Sequence, residues 1–453
     1  MATLDEARSI YFVGIGGCSM SGLAQILSYQ GHLVRGSDRE ESQFTRKLAQ
    51  DGITVFIGHK AEQVGTADLL IYSAAIKPDN PERVFAREHG IPEMERSVAL
   101  GQISERFSRV AAIAGCHGKT TITSMLAYIN EAARLDATVH VGGFMELLQG
   151  GVKVGKSDVF ITEACEYVES FLTLSPTIAL INNIDNDHLD CYRDIDHIVS
   201  AFFRFCSLVP PEGKIIGCID DSHVRELLPV VDRQTATYGL REGDYHADSI
   251  EYDGLGNPSF DLIDNGERRG RVELSVPGTH NIINAIAAYA VSKELGVPFG
   301  IYTRAISEFV NTKRRFEFMG EKNGIKVFHD YSHHPNEIRA ILEAAHRVPH
   351  KKLFCVFQCN SYTRAKTLFC ENVDCFQYAD EVLVPDIYPG REKDDGSVHA
   401  TDMVEGINRG GGLASYIPTF ELIRDYLDKN AAEGDIVVTV GSGDVYRQTA
   451  KLL

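Results

Sequence analysis

Residues 109–121 read RVAAIAGCHGKTT, an apolar run that ends directly in a glycine-rich turn. Arg109–Ala114 is short, apolar and uninterrupted, as a buried parallel strand is. Beyond the turn, Ile122, Met125, Leu126 and Ile129 recur at i, i+3, i+4 and i+7, which predicts an amphipathic helix. A loop joining a strand to a helix N-terminus aims successive backbone N–H groups at one point, and that arrangement cradles phosphate. Lys119 adds a point charge for the β- and γ-phosphates, and the Thr120 hydroxyl is a Mg²⁺ ligand type. The reading assigns Gly115, Cys116, His117, Gly118, Lys119, Thr120 and Thr121 to an ATP loop. Its glycine spacing is shorter than GxxxxGK[ST], because position 113 is Ile.

The same strand-then-turn grammar extends in both directions. Short apolar runs at Ile10–Gly14, Leu33–Arg35, Leu69–Tyr72, Val159–Thr162, Thr177–Asn182, Lys214–Ile219, Lys326–His329, Leu353–Gln358, Glu381–Pro385 and Asp435–Val440 alternate with helical patterns. That alternation predicts α/β domains with parallel sheets. At about 150 residues per domain, 453 residues suggest three. The expected architecture is a Rossmann-like N-terminal domain over 1–107, a central P-loop ATPase-type α/β domain over 108–312, and a C-terminal Rossmann-like α/β domain over 313–453. Residues 240–275 read as antiparallel hairpins within the central domain, and Lys313-Arg314-Arg315-Phe316 as the hinge to the third. Eight polar clusters (GIGGCSMSG, GCHGKTT, TEACEY, NIDNDH, HDYSHHPNE, QCNSYTR, DIYPGREKD, GSGD) each follow a strand. Ligands of open α/β sheets bind beyond the carboxyl ends of strands, so the clusters predict one multi-domain active site.

The first cluster, Gly14-Ile-Gly16-Gly17-Cys-Ser-Met20-Ser21-Gly22, precedes Asp38 by one strand. Its third glycine falls at 22 rather than 19, so a nucleotide-diphosphate substrate fits better than a dinucleotide cofactor. Glu163 and Glu166 leave a strand beside the loop and offer oxygen ligands for a second Mg²⁺. His188, in NIDNDHLD, is an imidazole in acidic company and a further metal candidate. His329–Glu337 leads into a helix with Pro335 suited to its first turn. Arg364 and, in YPGREKD, Arg391 and Lys393 are cations able to recognise carboxylate or phosphate.

Composition bounds the class. The apolar fraction is 44% and the charged fraction 24%, ordinary for a globular protein. A net charge of −18 argues against nucleic acid and membrane surfaces as partners, since both are polyanionic. No signal-peptide pattern opens the sequence and no apolar run reaches the roughly 18 residues of a span. Ten cysteines without CxxC pairs read as reduced thiols, which together predict a cytoplasmic protein.

Taken together the strings GIGG…MSG…GSD, SAAIKPDNPE, HGKTT, NIDNDHLD, PGTHNIINA, KRRFE, DYSHHPNEI, FQCNSYTRAK, DIYPGREKD and GDIVVTVGSGDVY resemble the Mur ligases of peptidoglycan synthesis over the whole chain. The resemblance implies domains for a UDP-sugar, for ATP and for an amino acid. It implies that the lactyl carboxylate of UDP-N-acetylmuramate attacks ATP, and that L-alanine displaces phosphate from the acyl phosphate. By resemblance, Lys119, Glu163, His188 and Arg364 are catalytic, and Thr120, Glu163 and His188 serve Mg²⁺, as two ions. Asn281 and Arg315 would contact ATP. Gly16, Gly17, Met20, Ser21, Asp38 and Ser73 would hold the UDP end, with His117 near the muramyl group. Tyr331, His333 and Arg364 would shape the amino-acid site of a monomer or homodimer.

The strings also depart from the family's. EACEY stands where EADES-type strings occur, and Cys359 and Asn360 stand for Pro and His. Ser19 replaces a glycine and Cys116 a threonine, and 194–209 contains no Lys to be carbamylated. Cys116 and Cys165 flank the ATP loop, which raises the expectation of thiol sensitivity. A peptide-recycling ligase on the same sugar nucleotide, a non-catalytic nucleotide-binding regulator and an NAD-dependent oxidoreductase are the competing readings.

Overall fold

The computed structural model describes residues 3–186, 191–311, 313–390 and 392–453. The chain divides into two compact units, one of 1–248, 262–270 and 283–308, the other of 249–261, 271–282 and 309–453.

The first unit opens with five parallel strands: β1 (Ser9–Val13), β2 (Leu33–Asp38), β3 (Thr54–Ile57), β4 (Leu69–Tyr72) and β5 (Glu93–Glu95). Their order is β3-β2-β1-β4-β5, so the chain reverses direction across the sheet at β1. The glycine cluster 14–17 stands at that switch point, where open sheets bind ligands.

A second sheet follows with β6 (Arg109–Ala114), β7 (Thr138–Met145), β8 (Gly150–Lys153), β9 (Val159–Ala164), β10 (Ile178–Ile181), β11 (Lys214–Cys218), β12 (Gln234–Tyr238), β13 (Tyr245–Tyr252), β14 (Pro258–Asp264) and β15 (Glu267–Glu273). Its order is β15-β14-β13-β12-β11-β10-β6-β9-β7-β8. β6 is interior, paired in parallel with β9 on one side and β10 on the other. Five of its six residues are buried, which is why the sequence shows a continuous apolar run rather than alternation.

One hydrophobic core joins these two sheets: Ile10, Phe12, Leu23 and Ile26 belong to the same cluster as Val110, Phe160, Ala179 and Phe202. The helix Cys18–Tyr29 explains the continuity. A Cβ on its Gly22 would lie 2.8 Å from the His140 ring of β7, so the helix backbone packs close against that strand.

The second unit carries β16 (Glu317–Lys322), β17 (Ile325–Asp330), β18 (Leu353–Phe357), β19 (Glu381–Val384), β20 (Ala414–Tyr416) and β21 (Ile436–Val440), ordered β16-β17-β21-β18-β19-β20. Only β16 runs antiparallel in this sheet among the described residues. Apolar residues cover both of its faces, in two clusters built around Leu342 and Cys355 on one side and Phe354 and Ile423 on the other.

Candidate functional site

The loop after β6 is shaped by two glycines. Gly115 has φ +130° and Gly118 has φ +86°, conformations that L side chains avoid. A Cβ at Gly118 would also sit 2.5 Å from Asn182 Nδ2 and 2.9 Å from Asn284 Oδ1. The neighbouring strand end fastens the loop. His117 N–H donates to Asn183 Oδ1 at 2.7 Å, and Asn182 Nδ2 donates to the His117 carbonyl at 2.9 Å. The His117 ring meets Asp185 at 3.0 Å. The helix Lys119–Ala133 then begins with no side-chain cap, so its first N–H groups face the loop. A positive helix end framed by backbone donors can take a polyphosphate.

β9 brings carboxylates to this loop. Thr120 Oγ1 donates to Glu163 Oε2 at 3.1 Å, and Glu163 Oε1 accepts from Gly142 N–H at 2.5 Å. A Cβ at Gly142 would be 2.7 Å from Glu163, so this close approach depends on glycine. A hydroxyl and a carboxylate oxygen side by side are a donor set suited to Mg²⁺. His188, the third expected metal ligand, lies outside the described residues, as does Arg391. Glu166 turns away from this pair: it is 1% exposed and meets Lys119 Nζ at 2.8 Å. Lys119 Nζ also donates to the carbonyls of Gly115 and Cys116. Burial opposes the charge on Lys119, but Glu166 outweighs it and holds the ammonium above its usual range.

The expected thiol sensitivity meets poor thiols. Cys116 is buried, its sulfur accepting from Asp185 N–H at 3.2 Å. Cys165 is pushed up to about 11 by burial and by Glu166, which keeps it protonated and weakly nucleophilic.

In the first glycine cluster, Gly14 and Ile15 N–H both donate to the Ser37 carbonyl, and Gly16 N–H donates to Asp38 Oδ2 at 2.8 Å. Gly17 is the N-cap of the helix Cys18–Tyr29. Asp38 thus braces the turn. Met20 is 2% exposed and Ser21 1%, and the Ser21 hydroxyl donates to the Cys18 carbonyl. Both support the turn from inside, a position their place in the string did not reveal. Ser73 follows β4 and accepts from Ala75 N–H at 3.2 Å.

The second unit holds Asn281, Arg315, Tyr331, His333 and Arg364. Asn281 is buried and donates to the Pro277 carbonyl at 2.7 Å. Arg315 stands 5.6 Å from the Tyr331 ring and 3.8 Å from Glu337. His333 Nδ1 lies 3.1 Å from the Tyr331 carbonyl. Arg314 is more central than its neighbour, 4.8 Å from the Tyr331 ring and 4.9 Å from that of Tyr446. Arg364 lies in the first turn of the short helix Tyr362–Thr367, whose N-cap Ser361 accepts from Arg364 N–H. Ser361 has φ +72°, a strained conformation for a residue with a side chain. Apart from Asn281, which lies in the helix Thr279–Glu294, these residues follow the carboxyl ends of β17 and β18 or immediately precede β16.

Three family profiles cover the chain in sequence: Mur ligase family, catalytic domain, over 9–108; Mur ligase middle domain over 113–292; and Mur ligase, glutamate ligase domain, over 314–443. The chain belongs to the Mur ligase family. It is 45% identical over 449 residues to a UDP-N-acetylmuramate–L-alanine ligase of Alkaliphilus metalliredigens, covering 99% of this chain and 97% of the relative. The structure of a UDP-N-acetylmuramate-alanine ligase from Thermotoga maritima superimposes with a TM-score of 0.81 at 28% identity, over 98% of each chain. A murein peptide ligase from Psychrobacter arcticus shares the fold, with a TM-score of 0.71 at 24% identity over 98% of each.

Among the positions that depart from Mur ligase strings, Asn360 is taken up by local contacts. Asn360 donates to Ser442 Oγ at 2.5 Å and bridges to Tyr388, clipping together the loops after β18, β19 and β21. Cys359 is buried beside it. Sequence reasoning missed Gly142, Asn182, Asn284 and Ser361. Of these, Gly142 left a signal, since two adjacent glycines inside a strand mark a close approach.

Proposed function

We propose that this chain joins L-alanine to the lactyl carboxylate of UDP-N-acetylmuramate, with ATP converted to ADP and phosphate, as a cytoplasmic step of peptidoglycan synthesis. The supporting observation is 45% identity over nearly the whole chain to an L-alanine ligase, combined with a phosphate loop whose Lys119 ammonium meets Glu166 and whose Thr120 hydroxyl meets Glu163. The UDP end fits the glycine cluster at the switch point of the first sheet, with Gly16, Gly17, Asp38 and Ser73 nearest the turn. Residues 1–107, 108–312 and 313–453 are read as the UDP-sugar, ATP and amino-acid regions.

Attack of a carboxylate on a triphosphate sets like charges against each other, so positioning and cationic stabilisation carry most of the catalysis. Lys119 supplies the fixed positive charge, and the helix beginning there orients the phosphates. Thr120 and Glu163 would hold Mg²⁺, with His188 as a further ligand and a second ion. When bound, Mg²⁺ neutralises charge on the phosphoryl oxygens. Arg315 is read as an ATP contact, and Tyr331, His333 and Arg364 as the acceptor pocket.

The test is ADP release with UDP-N-acetylmuramate, ATP and Mg²⁺, adding acceptors singly. Release driven by L-alanine, and lowered at least about a hundredfold in Lys119→Ala, supports the proposal. Release with a tripeptide alone moves the assignment to a recycling ligase. ATP binding without release for any acceptor makes the chain a non-catalytic nucleotide binder.

A further inference from the structure

An ammonium has three protons to donate, and Lys119 has placed all three inside the protein. Nζ reaches the Gly115 carbonyl at 2.5 Å, the Cys116 carbonyl at 3.1 Å and Glu166 Oε2 at 2.8 Å. A phosphate oxygen must therefore take a donor from one of them. Gly115 and Cys116 hold Lys119 within its own loop, four and three residues away. Glu166 is a separate element, the carboxylate of a side chain 1% exposed to solvent. The segment around Glu166 is firmly held. The Tyr192 hydroxyl donates to the Glu166 carbonyl, and Phe171 N–H donates to the Cys165 carbonyl at 2.9 Å. Beyond it the chain turns through Val168 at φ +48° and Glu169 at φ +56°. Positive φ in a β-branched residue is uncommon, and such strain persists where the surroundings over-determine the backbone.

We propose that Glu166 is a positioning residue that acts through Lys119: a built-in anionic competitor, which phosphate displaces when nucleotide binds and which recaptures the lysine as ADP departs. The proposal rests on reading the loop as the ATP site. Glu166 and Glu163 then have opposite effects on nucleotide, though they are three residues apart. Glu163 lies against the Thr120 hydroxyl and would help a Mg²⁺–nucleotide complex. Glu166 opposes the same anion by occupying the cation that receives it. Weakened binding of ADP serves turnover, because product release limits many phosphoryl-transfer enzymes. Removing the competitor should tighten nucleotide binding and slow its loss, an outcome that structural damage alone does not produce.

The experiment titrates the full chain with ADP and Mg²⁺ by calorimetry, and measures ADP dissociation by stopped flow, for wild type, Glu166→Gln, Glu166→Asp, Glu163→Gln and Lys119→Ala. Glu166→Gln is expected to bind ADP about tenfold more tightly, through slower dissociation, while Glu163→Gln binds more weakly. Glu166→Asp withdraws the carboxylate by one methylene, keeps its charge, and should shift affinity in the same direction, so it serves if Glu166→Gln does not fold. Unchanged or weaker ADP binding in the folded Glu166 variants would overturn the proposal. If Lys119→Ala binds ADP as wild type does, or wild type binds none, the ATP-loop reading itself fails and the proposal falls with it. That failure is distinguishable because it appears without any Glu166 variant.

Discussion

At the residue scale the phosphate loop is where single atoms decide. Gly118 is held at φ +86° with Asn182 and Asn284 pressed against the space a Cβ would fill. A Gly118→Ala variant meets both penalties at once. It should lose about 1–3 kcal/mol of stability and bind ADP at least about tenfold more weakly, because the N–H groups of the loop move with the backbone. Urea unfolding and an ADP titration check the two effects separately, and wild-type affinity would show that the loop accommodates a methyl group. Residue types were the legible part of this site. Gly115, Lys119, Thr120 and Glu163 stand out in the string because their chemistry is specific to phosphate and Mg²⁺. Their partners were not legible. That Glu166 would seek Lys119 rather than Glu163's company depends on the path of 165–171, and nothing local in EACEY encodes that path.

At the scale of elements, the strands that were legible are the buried ones. β6, β4 and the cores of β9, β18 and β21 read as uninterrupted apolar runs, because a parallel strand covered on both faces has no polar side to show. β3, β5, β7, β8, β12, β16 and β20 were missed. β3, β5, β12 and β20 are short, and all four expose half or more of their residues at least partly, so no run or alternation marks them. Helix packing was equally hidden. In the helix Arg96–Ser104, a Cβ on Gly101 would stand 2.3 Å from the Thr173 carbonyl, and the Thr173 hydroxyl donates to the Ser97 carbonyl at 2.7 Å. The helix therefore lies flush on the segment 167–173 that follows Glu166. Gly101→Val should lift it away and cost about 1–3 kcal/mol, as overpacking does. Thermal unfolding reads that loss, and a melting temperature equal to wild type would mean that the contact is slack.

At the scale of the whole molecule, each unit buries a histidine that cannot easily take a proton. His140 lies in the first unit, 3% exposed, with Nδ1 at 3.1 Å from the Thr162 hydroxyl. Burial, aided by Arg96, lowers it to about 4. His329 lies in the second, fully buried with Nδ1 at 3.0 Å from the Thr439 hydroxyl, and burial with Arg314 lowers it to about 3. Unfolded, both would titrate near 6.5. Above that pH neither state binds the proton and stability is full. As pH falls below 6.5 the unfolded chain gains protons that the folded chain refuses, so stability falls, down to about 4 for His140 and about 3 for His329. At about 1.4 kcal/mol per pH unit for each side chain, the pair should cost up to about 4 kcal/mol at about pH 5. Carboxylates contribute to acid lability as well, so wild type must be compared with His140→Gln/His329→Gln at both pH values. Urea midpoints followed by circular dichroism should converge between the two proteins on acidification, the variant starting lower and falling less. Parallel losses would assign the acid sensitivity to the carboxylates instead, and would mean that solvent reaches these imidazoles before the fold opens.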